Sequence, residues 1–518
     1  MPTAPSSPPV FSVSGPDRVR RVVTLVLHLA LIALVGWHVY VATTACLGNK
    51  FYAYDVGNIN YCLYWTLHGR FFCLFTHQFS NFACHFTPTL LLLAPLQGLI
   101  QHHLLVPVLE TLALLSGAWA VAWLFDGLTR RGRKASPVSL SPLGLAIGWL
   151  YAANVWTGSM LLSYHFESFG VPLLLWALAA AAHRRWRGFW VLAVLTLGVK
   201  EDFALYFAAF GLWWGLFGWE KASGQPLWRK RLMRAWPMVG VGILWFLAGW
   251  GSIGWFARQV GYESSLFAPR YAWLGATSGE KIQTLLANPQ LIGLPLWHVA
   301  KMTLGTVLFL PLLAPETLLL LVPGAYVMGL AGDFEPMFEL MYYYSYPLLP
   351  FLFVGVCVAL ARLVRRSRRW RGRVPLRRVL FFTLVLAGCV QVTLPTHMES
   401  QRRLPAEVTD RHRWIRMVLA EAIPRDAAVA VQYDLICQLP FRPVVFPIEE
   451  KWLDQAEYWV LDLKGFRGDL KADECRRIIE RGVELTRQKK ARLLVDQDGL
   501  LIFHIPQSAP SVPGGTPE

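Results

Sequence analysis

The sequence predicts an all-α polytopic membrane protein of about eleven transmembrane helices, with a small C-terminal α/β domain outside the membrane. Three observations favour this fold class. Apolar residues make up 55% of the 518 residues and charged residues only 16%. Apolar runs near the length of a bilayer span recur along most of the chain, separated by basic clusters. After Pro395 these runs stop, and short segments typical of buried strands follow.

The positive charge of the chain is concentrated in a few short clusters. The formal net charge is +16. The clusters are Arg18–Arg21, Arg130–Lys134, Arg184–Arg187, Arg229–Arg234 and Arg362–Arg378. Short basic loops between apolar segments are typical of the cytoplasmic side of membrane proteins. Contact with the lipid bilayer therefore explains the charge, and no nucleic-acid partner is predicted.

The N-terminal part predicts the starting orientation. Residues 1–21 are rich in Pro and Ser and end in a basic cluster, so we expect a disordered cytoplasmic N-terminus. The first apolar segment, Val22–Val41, is too long for the core of a signal peptide, and no small-residue cleavage site follows it. We therefore expect this segment to be retained as the first transmembrane helix.

Residues 22–395 are predicted to form the transmembrane domain. The stretch Thr87–Asp126 is too long for one straight span, and Gln101, His102 and His103 mark a break in it. If it crosses once in net, all five basic clusters fall on the cytoplasmic side, whereas two full crossings would put the next three clusters outside. The later predicted spans are Pro142–Trp156, Gly170–Ala182, Phe189–Val199, Phe203–Trp219, Pro237–Phe256, Leu296–Leu313, Glu316–Leu330, Ser345–Ala361 and Leu380–Leu394.

With a cytoplasmic N-terminus and an odd number of crossings, the sequence predicts a multi-pass protein of the cell (inner or plasma) membrane. Its C-terminal domain, at 396–506, is then extracytoplasmic. Short apolar segments there predict strands, and 472–487 has the periodicity of a helix. The predicted strands are Ala427–Val431, Pro443–Pro447, Tyr458–Leu463, Leu493–Val495 and Leu500–Ile505. Residues 507–518 are rich in Pro, Ser and Gly and are expected to be disordered.

The first outer loop, residues 44–87, is the most unusual segment of the chain. It is crowded with aromatic residues, yet it also contains an aspartate, several amides and three histidines. Four of the eight cysteines, Cys46, Cys62, Cys73 and Cys84, lie in it. In an oxidising compartment such a group predicts at least one disulfide, with free buried cysteines as the alternative.

Charged and polar residues that interrupt apolar sequence are candidates for a functional site. Asp55 suits a general base or a metal ligand, and equally an N-cap. His85, where the loop re-enters the membrane, suits phosphate binding, proton donation or metal ligation, and equally an interfacial histidine facing water. Further candidates are His165, Glu167, Lys200, Glu201, Asp202 and Arg270.

These candidates lie in motifs that resemble a known family. The motifs are YDVGNINYCLYWTLHGR, HFTPTLLLLAPLQGL, YHFESFGVPLLLWAL, LGVKEDFALYF and YYYSYPLLPFLFVG, in that order between Val22 and Gly465. They resemble a family of prokaryotic polytopic membrane proteins defined by a domain of unknown function. That family is similar to the GT-C membrane glycosyltransferases, which use a polyprenyl-phosphate sugar donor on the outer face of the membrane.

The resemblance implies a GT-C-like fold and roles for the candidates. Asp55 matches the acidic residue of the first outer loop, and His85 with Pro88 matches the motif that ends it. Many GT-C enzymes have a paired acidic motif there, whereas Asp55 is the only carboxylate of this loop. The implied catalytic residues are therefore Asp55, Glu201 and Asp202; substrate would contact His85, His165, Lys200 and Arg270; and Asp55 with Glu167 would bind a divalent cation, Mg²⁺ or Mn²⁺.

The alternatives are a transporter or flippase of lipid-linked glycans and a non-catalytic membrane protein. A transporter of this size predicts an internal repeat and charges at mid-membrane on several helices, and the sequence shows neither pattern clearly. No Walker loop, dinucleotide fingerprint, nucleophile elbow or HExxH pattern is present. ATP-driven transport and nucleotide-sugar chemistry therefore have no support in the sequence.

Overall fold

The structure is a computed structural model, and it describes most of the chain. The described residues are 15–49, 53–129, 140–218, 227–262, 268–331, 334–367, 376–393, 405–465 and 472–506. The predicted disordered tails fall outside them at 1–14 and 507–518, as does the basic cluster at 130–134. The first helix begins at Gly15, so residues 15–21 are helical and not disordered. Pro16 and Asp17 are residue types that favour a first helical turn.

Helices account for nearly all of the described chain before residue 405. The first group is α1 (Gly15–Leu47), α2 (Ala53–Thr66), α3 (Ala94–Ile100), α4 (Leu105–Thr129), α5 (Pro142–Ala153), α6 (Val155–Ser163), α7 (Glu167–Ala182), α8 (Trp186–Leu197) and α9 (Phe203–Phe217). The second is α10 (Leu227–Gln259), α11 (Ser278–Ala287), α12 (Gln290–Thr303), α13 (Val322–Gly329), α14 (Glu335–Phe338), α15 (Leu349–Ser367) and α16 (Leu376–Thr393). Short 3₁₀ helices, including Pro88–Leu93 and Pro315–Leu321, connect several of them.

The central helix of this body is α4, which packs against α1, α5, α7 and α15. Its 25 residues extend about 37 Å, slightly more than the hydrocarbon thickness of a bilayer. The predicted break before it is confirmed, because α3 ends at Gln101 in a left-handed conformation with φ 44°. Thr87–Asp126 is thus a short 3₁₀ and helical segment followed by one long helix.

Within the described residues, α1, α4 and α10 each contain a stretch long and apolar enough to cross a membrane. The bent pair α5 and α6, with 51° between its two helices, forms a fourth candidate span. The protein is therefore embedded in a membrane, and the predicted number of about eleven crossings stays a prediction.

The basic clusters that the structure describes within the body meet at the C-terminal end of α4. Arg185 lies over the ring of Trp123 at 5.2 Å, and Arg234 lies over Trp186 at 4.2 Å. Arg365 donates to the carbonyl of Leu128 at 3.1 Å. Three clusters that are distant in sequence are therefore neighbours in space, at the end of the body away from α2.

The C-terminal domain is a five-stranded sheet with two helices, close to the prediction. Its elements are α17 (Asp410–Ala422), β1 (Val429–Val431), β2 (Val445–Pro447), β3 (Tyr458–Asp462), α18 (Ala472–Arg487), β4 (Arg492–Gln497) and β5 (Leu500–His504). The strand order is β2-β1-β3-β5-β4. The first three strands are parallel, with Ala430 opposite Phe446 and Trp459, whereas β5 is antiparallel to β3 and β4.

The two faces of the sheet bury different parts of the chain. Val429 and Val431 point to one face, which packs against α17 and against Tyr61 and Trp65 of α2. Ala430 and its neighbours point to the other face, which packs against α18. The sheet is thus fixed onto the helical body through α2, since alternate strand residues face opposite sides.

Hydrogen bonds at the end of the body that contains α2 also hold the sheet domain in place. The indole of Trp65 donates to the carbonyl of Arg442 at 3.2 Å. Gln438 donates to the carbonyl of Cys46 at the end of α1, at 2.8 Å. His103, just before α4, bonds to the carbonyl of Leu439 at 3.1 Å. The end of α1, α2 and the start of α4 therefore form the platform for the domain.

The predicted disulfide is wrong in this structure. All eight cysteines belong to the described residues, and all are free. The thiol of Cys62 lies 3.4 Å from the carbonyl of Phe72, and that of Cys73 lies 3.4 Å from the guanidinium of Arg70. These cysteines fill the packed interior of the loop, which the aromatic side chains and α2 hold together without a covalent link.

We predict that the sheet domain faces the outside of the cell. A phosphatase reporter that is active only outside the cytoplasm should be active when fused after Glu518, because only this orientation puts the basic clusters inside. The same reporter inserted at Arg130–Lys134 should be inactive. The reverse pattern would contradict the orientation and move the site described below to the cytoplasmic face.

We further predict that His103 makes the protein sensitive to acid. Burial lowers the pKa of His103 to about 3, whereas an unfolded histidine has a pKa of about 6.5. The unfolded chain therefore gains the proton first, and stability that is fully present above pH 6.5 is lost at about 1.4 kcal/mol per pH unit as the pH falls toward 3. His103→Gln should show a smaller fall in apparent Tm between pH 6.5 and 5 than the unsubstituted protein. Exposed His68→Gln is the control, and an equal fall in all three proteins would contradict the prediction.

Candidate active site

A cavity of about 330 Å³ opens at the end of the body on which the sheet domain lies. Its walls come from α2, the segment 72–90, the turn before α7, the turn before α9 and the segments around 270 and 343. Five of the predicted site residues line it, namely Asp55, His85, His165, Lys200 and Arg270. Segments far apart in the sequence are therefore brought to one place, with Asp55 in the first turn of α2.

Asp55, His165 and Glu167 form a short chain of side chains. The Asp55 carboxylate lies 3.7 Å from Nε2 of His165, and Nδ1 of the same ring contacts Glu167. The left-handed conformation of Tyr164, with φ 50°, ends α6 and turns the chain into this position. The ring of His165 stacks on Tyr343, with centroids 3.7 Å apart. Glu167 at Nδ1 and Tyr343 on one face therefore fix the orientation of the His165 ring, with Nε2 turned toward Asp55.

Lys200 connects Glu167 to the turn before α9. Its ammonium lies 2.7 Å from Glu167, 3.9 Å from Asp202 and 3.3 Å from the hydroxyl of Tyr346. Glu167 is completely buried. Tyr346 in turn contacts Asp202, and Tyr206 donates to Asp202 at 3.4 Å. The two carboxylates therefore stabilise the buried lysine in its charged form, as burial of a charge requires.

Glu201 belongs to a second, adjacent pair. One of its carboxylate oxygens lies 3.1 Å from Nδ1 of His85, and the other accepts the backbone N–H of Phe86 at 3.0 Å. Glu201 thus fixes both the ring of His85 and the backbone where the first loop returns to the membrane. Glu167, Glu201 and Asp202 do not line the cavity but contact residues that do.

The carboxylates lie where helices begin. Asp55 is in the first turn of α2, Glu167 in the first turn of α7, and Asp202 directly precedes α9. The N-terminus of a helix has a partial positive charge from its aligned peptide dipoles and unpaired N–H groups. This field stabilises the three carboxylates in surroundings that would otherwise destabilise negative charge.

Burial sets the protonation of the side chains around Lys200. It lowers the pKa of His85, although Glu201 acts in the opposite direction. Burial, with Lys200 and His85 nearby, lowers the pKa of His165 well below its usual range. Burial also raises the pKa of Asp202. For Glu201, burial acts to raise the pKa, but His85 and Lys200 outweigh it and the pKa is lowered.

The cavity exposes both acidic and basic side chains. Its lining contains one carboxylate, Asp55, and two basic side chains, Lys200 and Arg270. The lining histidines are neutral, because burial lowers the pKa of each of them: His77, His85 and His165. Glu167 pairs with Lys200 from behind the lining. The cavity thus brings a carboxylate and two basic side chains to one place, which suits a phosphate-containing ligand that must also meet a base.

Arg270 lines the cavity from the segment that follows α10. It lies in the 3₁₀ helix Ala268–Leu274, with its guanidinium 4.0 Å from the ring centre of Phe334 and 3.2 Å from the sulfur of Met337. Tyr343 and Tyr344 line the cavity beside it. These contacts hold a planar guanidinium toward the cavity, a geometry suited to phosphate oxygens.

The predicted metal site is not formed by the side chains as they stand. Within the described ranges, no group of three or more His, Cys, Asp and Glu residues is arranged to hold a metal ion. Glu167 uses one carboxylate oxygen toward His165 and the other toward Lys200. Asp55 and Glu167 therefore do not present a pair of available ligands, and the divalent cation stays a prediction.

Several residues of the site were missed by the sequence analysis. Asn58 lines the cavity and accepts from Thr76 at 2.9 Å. Two tyrosines of the sequence YYYSYP also belong to the site: Tyr343 stacks on His165, and Tyr346 contacts Lys200. Glu110 is completely buried in α4 and lies beside Ser168. A single glutamate within forty apolar residues is a signal that could have identified it.

We predict that Gly198 is needed to place the turn containing Lys200. A Cβ at this position would lie 2.3 Å from the hydroxyl oxygen of Thr89, whose N–H donates to the carbonyl of Gly198. Gly198→Ala should therefore cost about 1–3 kcal/mol of stability, the usual effect of overpacking. Gly188→Ala in α8 is the matched control, because the nearest atom is 4.0 Å away, and it should be neutral or stabilising. Thermal unfolding of both variants checks this, and a fully stable Gly198→Ala would contradict it.

The chain was compared with known proteins by sequence, by structure and by family model. No curated protein sequence matches the chain. Two crystal structures of ArnT from Cupriavidus metallidurans resemble it at 12% identity: one bound to undecaprenyl phosphate, with a TM-score of 0.45 over 93% of this chain and 98% of that chain, and one in the apo state, with a TM-score of 0.43 over 91% and 98%. At these scores the likeness supports no conclusion about the site. The model of a family described as predicted membrane protein (DUF2079) matches residues 50–500. This confirms the resemblance to a family of polytopic membrane proteins, and the chain belongs to the DUF2079 family.

Proposed function

We propose that the protein is a GT-C-type membrane glycosyltransferase that moves a sugar from a polyprenyl-phosphate donor to a hydroxyl group of an acceptor at the outer face of the membrane. The observation that supports this most is the cavity that exposes one carboxylate, Asp55, together with Lys200 and Arg270. The donor class follows from the resemblance of the motifs to a family that is similar to the GT-C glycosyltransferases.

The reaction needs two kinds of group, and the cavity contains both. The bond between the sugar and the phosphate oxygen breaks, and the acceptor oxygen forms the new bond to the sugar. The acceptor hydroxyl loses its proton to a base. Asp55 can be this base, because its side chain is 21% exposed and lines the cavity. The departing phosphate gains negative charge, which Lys200 and Arg270 stabilise.

The neutral His165 supports the base. Its Nδ1–H donates to Glu167, which leaves Nε2 as an acceptor on the side of Asp55. An acceptor hydroxyl between Asp55 and His165 thus meets two acceptor atoms and no competing positive charge. Holding the reacting hydroxyl in one orientation is itself a large part of rate acceleration.

The remaining carboxylates act through other residues. Glu167 and Asp202 hold Lys200, and Glu201 holds His85. We assign them positioning roles in the proposed reaction, because contacts with these partners occupy their carboxylates. No step is assigned to a divalent cation, and its requirement can be tested separately by chelation.

The surroundings of the cavity suit a donor with an apolar tail. Leu74 and Leu90 line the cavity. Leu92, on the same 3₁₀ helix as Leu90, is 62% exposed, and Phe71 is 47% exposed. Large exposed apolar side chains in a membrane protein face the lipid. A polyprenyl chain can therefore leave the cavity past Pro88–Leu93 and enter the bilayer directly.

We predict that Asp55→Asn strongly slows transfer and leaves donor binding intact. The change keeps the size of the side chain and removes its ability to accept a proton, so turnover should fall about 10²-fold or more. The measurement is release of polyprenyl phosphate from labelled polyprenyl-phosphate sugars in vesicles that contain the protein and a membrane lipid extract as acceptor. Binding of polyprenyl phosphate, followed by tryptophan fluorescence, should be unchanged.

The matched control is Asp410→Asn, which alters a carboxylate that is 95% exposed in the sheet domain. It should retain full turnover. Equal turnover of Asp55→Asn and the unsubstituted protein would reject Asp55 as the base. Movement of intact lipid-linked sugar across the vesicle membrane, without cleavage, would replace the enzyme by the transporter alternative.

A further inference from the structure

One wall of the cavity consists of polar side chains to which the proposed reaction gives no role. They are Asn58 of α2 and Thr76 and His77 of the segment that follows it, and we call these three residues the polar wall. Asn58 is only 7% exposed and Thr76 only 4%. Buried polar groups are costly unless they bond to one another or to a ligand. The bonds within the polar wall therefore determine which atoms are left for a ligand.

The polar wall begins on the same face of α2 as the proposed base. Asp55, Asn58, Ile59 and Cys62 all line the cavity, and their spacing is that of one face of a helix. Side chains three residues apart on a helix have Cβ atoms about 5–6 Å from each other, which is comparable to the width of a sugar ring. A sugar that reacts next to Asp55 can therefore also reach Asn58.

Hydrogen bonds to Thr76 fix the orientation of the Asn58 amide. The backbone N–H and the hydroxyl of Thr76 both donate to Oδ1 of Asn58, at 3.0 and 2.9 Å. A backbone N–H can only donate, so the amide oxygen faces Thr76 and the NH₂ group is turned away from it. This NH₂ group has no hydrogen-bond partner in the part of the chain that the structure describes. Asn58 thus offers two N–H donors to a ligand in the cavity.

The same network places the hydrogen of His77. The hydroxyl of Thr76 lies 2.7 Å from Nδ1 of His77. Its single hydrogen goes to Asn58, because two oxygen atoms 2.9 Å apart need a hydrogen between them. Nδ1 of His77 therefore donates to Thr76, and Nε2 is left as an acceptor. Burial, together with nearby Lys451, lowers the pKa of His77, although Glu449 acts in the opposite direction, and the lowered pKa favours this neutral ring.

Asn58 and His77 thus present donors and an acceptor to the same ligand. A hydroxyl group both donates and accepts, so hydroxyl groups can bond to both residues. An ammonium group has no lone pair and a carboxylate has no hydrogen, so each would match only one of the two. The charges of the sheet domain that act on His77, Glu449 and Lys451, pair with one another at 2.6 Å. The polar wall therefore favours uncharged hydroxyl groups.

The sheet domain holds the outer part of the polar wall in place. Gln78, directly after His77, donates to the carbonyl of Val445 in β2 at 2.9 Å. Its side-chain oxygen accepts from the guanidinium of Arg70 at 2.7 Å. The turn that contains Thr76 and His77 is therefore fixed before a ligand arrives, and groups that are already ordered lose little freedom on binding.

We infer that Asn58 and His77 bind hydroxyl groups of the transferred sugar, and that this sugar is uncharged. Thr76 is a positioning residue that orients both of them. The inference rests on the proposed function, since it takes the cavity to hold a polyprenyl-phosphate sugar. A site built to hydrogen-bond a hydroxyl group rejects an analogue that lacks it, because the buried polar groups of the site are then left unpaired.

The test measures the binding of defined lipids to the full-length protein in detergent by quenching of tryptophan fluorescence. The probes are decaprenyl phosphate alone and its glucosyl, mannosyl, galactosyl, glucuronyl and glucosaminyl forms. At least one of the three neutral sugars should lower the Kd below that of decaprenyl phosphate. Neither charged analogue should bind as tightly as the best neutral one.

Substitutions then assign this gain to the polar wall. In Asn58→Leu and in His77→Phe, the Kd of the best sugar lipid should rise about two- to tenfold, the usual effect of losing one hydrogen bond. The Kd of decaprenyl phosphate should not change. His77→Gln keeps an acceptor and should retain most of the gain.

The matched control is His68→Phe, which alters an exposed histidine of the same loop outside the cavity. It should bind every probe as the unsubstituted protein does. Thermal unfolding shows which variants are folded. Where a substitution prevents folding, the ranking of neutral and charged sugars by the unsubstituted protein still tests the uncharged class.

Four results would overturn the inference. They are equal weakening of decaprenyl phosphate and its sugar forms, an unchanged sugar preference in the folded variants, tighter binding of a charged analogue, and no gain from any neutral sugar. Release of polyprenyl phosphate judges the proposed function separately. Transfer with an unchanged sugar preference in the variants rejects the polar wall alone, whereas a sugar preference that the variants lose, without any transfer, rejects the glycosyltransferase alone.

Discussion

The buried ion pair between Lys200 and Glu167 is the interaction on which the site depends. The two charges lie 2.7 Å apart, and Glu167 is completely buried. Removing one partner of such a pair typically costs 3–5 kcal/mol, because the other charge is left uncompensated. The pair joins the start of α7 to the turn before α9, and Tyr346 joins that turn to the segment before α15. Three helices are thereby held at a common level, and His165 is oriented by the same carboxylate.

The second constraint is the placement of the sheet domain on α2. Tyr61, Trp65 and Phe75 pack with the strands and α17 in one apolar cluster. Much of the aromatic character of the first outer loop is therefore explained by this contact and not by ligand binding. The same helix begins with Asp55. Fixing α2 from one side by the sheet and from the other by the body therefore also fixes the position of the proposed base.

How well each part of the structure was predicted depends on how distinctive its sequence pattern is. The strands of the C-terminal domain were predicted closely, because their short apolar runs are rich in β-branched and aromatic residues and lie between polar turns. The helix α2 was treated as loop, since its polar and aromatic residues show no helical period before the sheet is known to cover it. Lys200, Glu201 and Asp202 were found because they interrupt apolar sequence. Glu110 does so as well and was overlooked, and the cysteine count suggested a covalent link where packing suffices.

The direction of the helices explains why acids gather at one end of the body and arginines at the other. Helices α4, α7, α9 and α15 all run from the end with the cavity toward the end with the basic clusters. Their N-termini have partial positive charge, which favours Glu167 and Asp202, and their C-termini have partial negative charge, which favours Arg365. The membrane adds its own preference for basic residues on one side. Because both effects act along the same axis, the arrangement that stabilises the helices also keeps the cavity that contains Asp55 apart from the basic clusters at the other end of these helices.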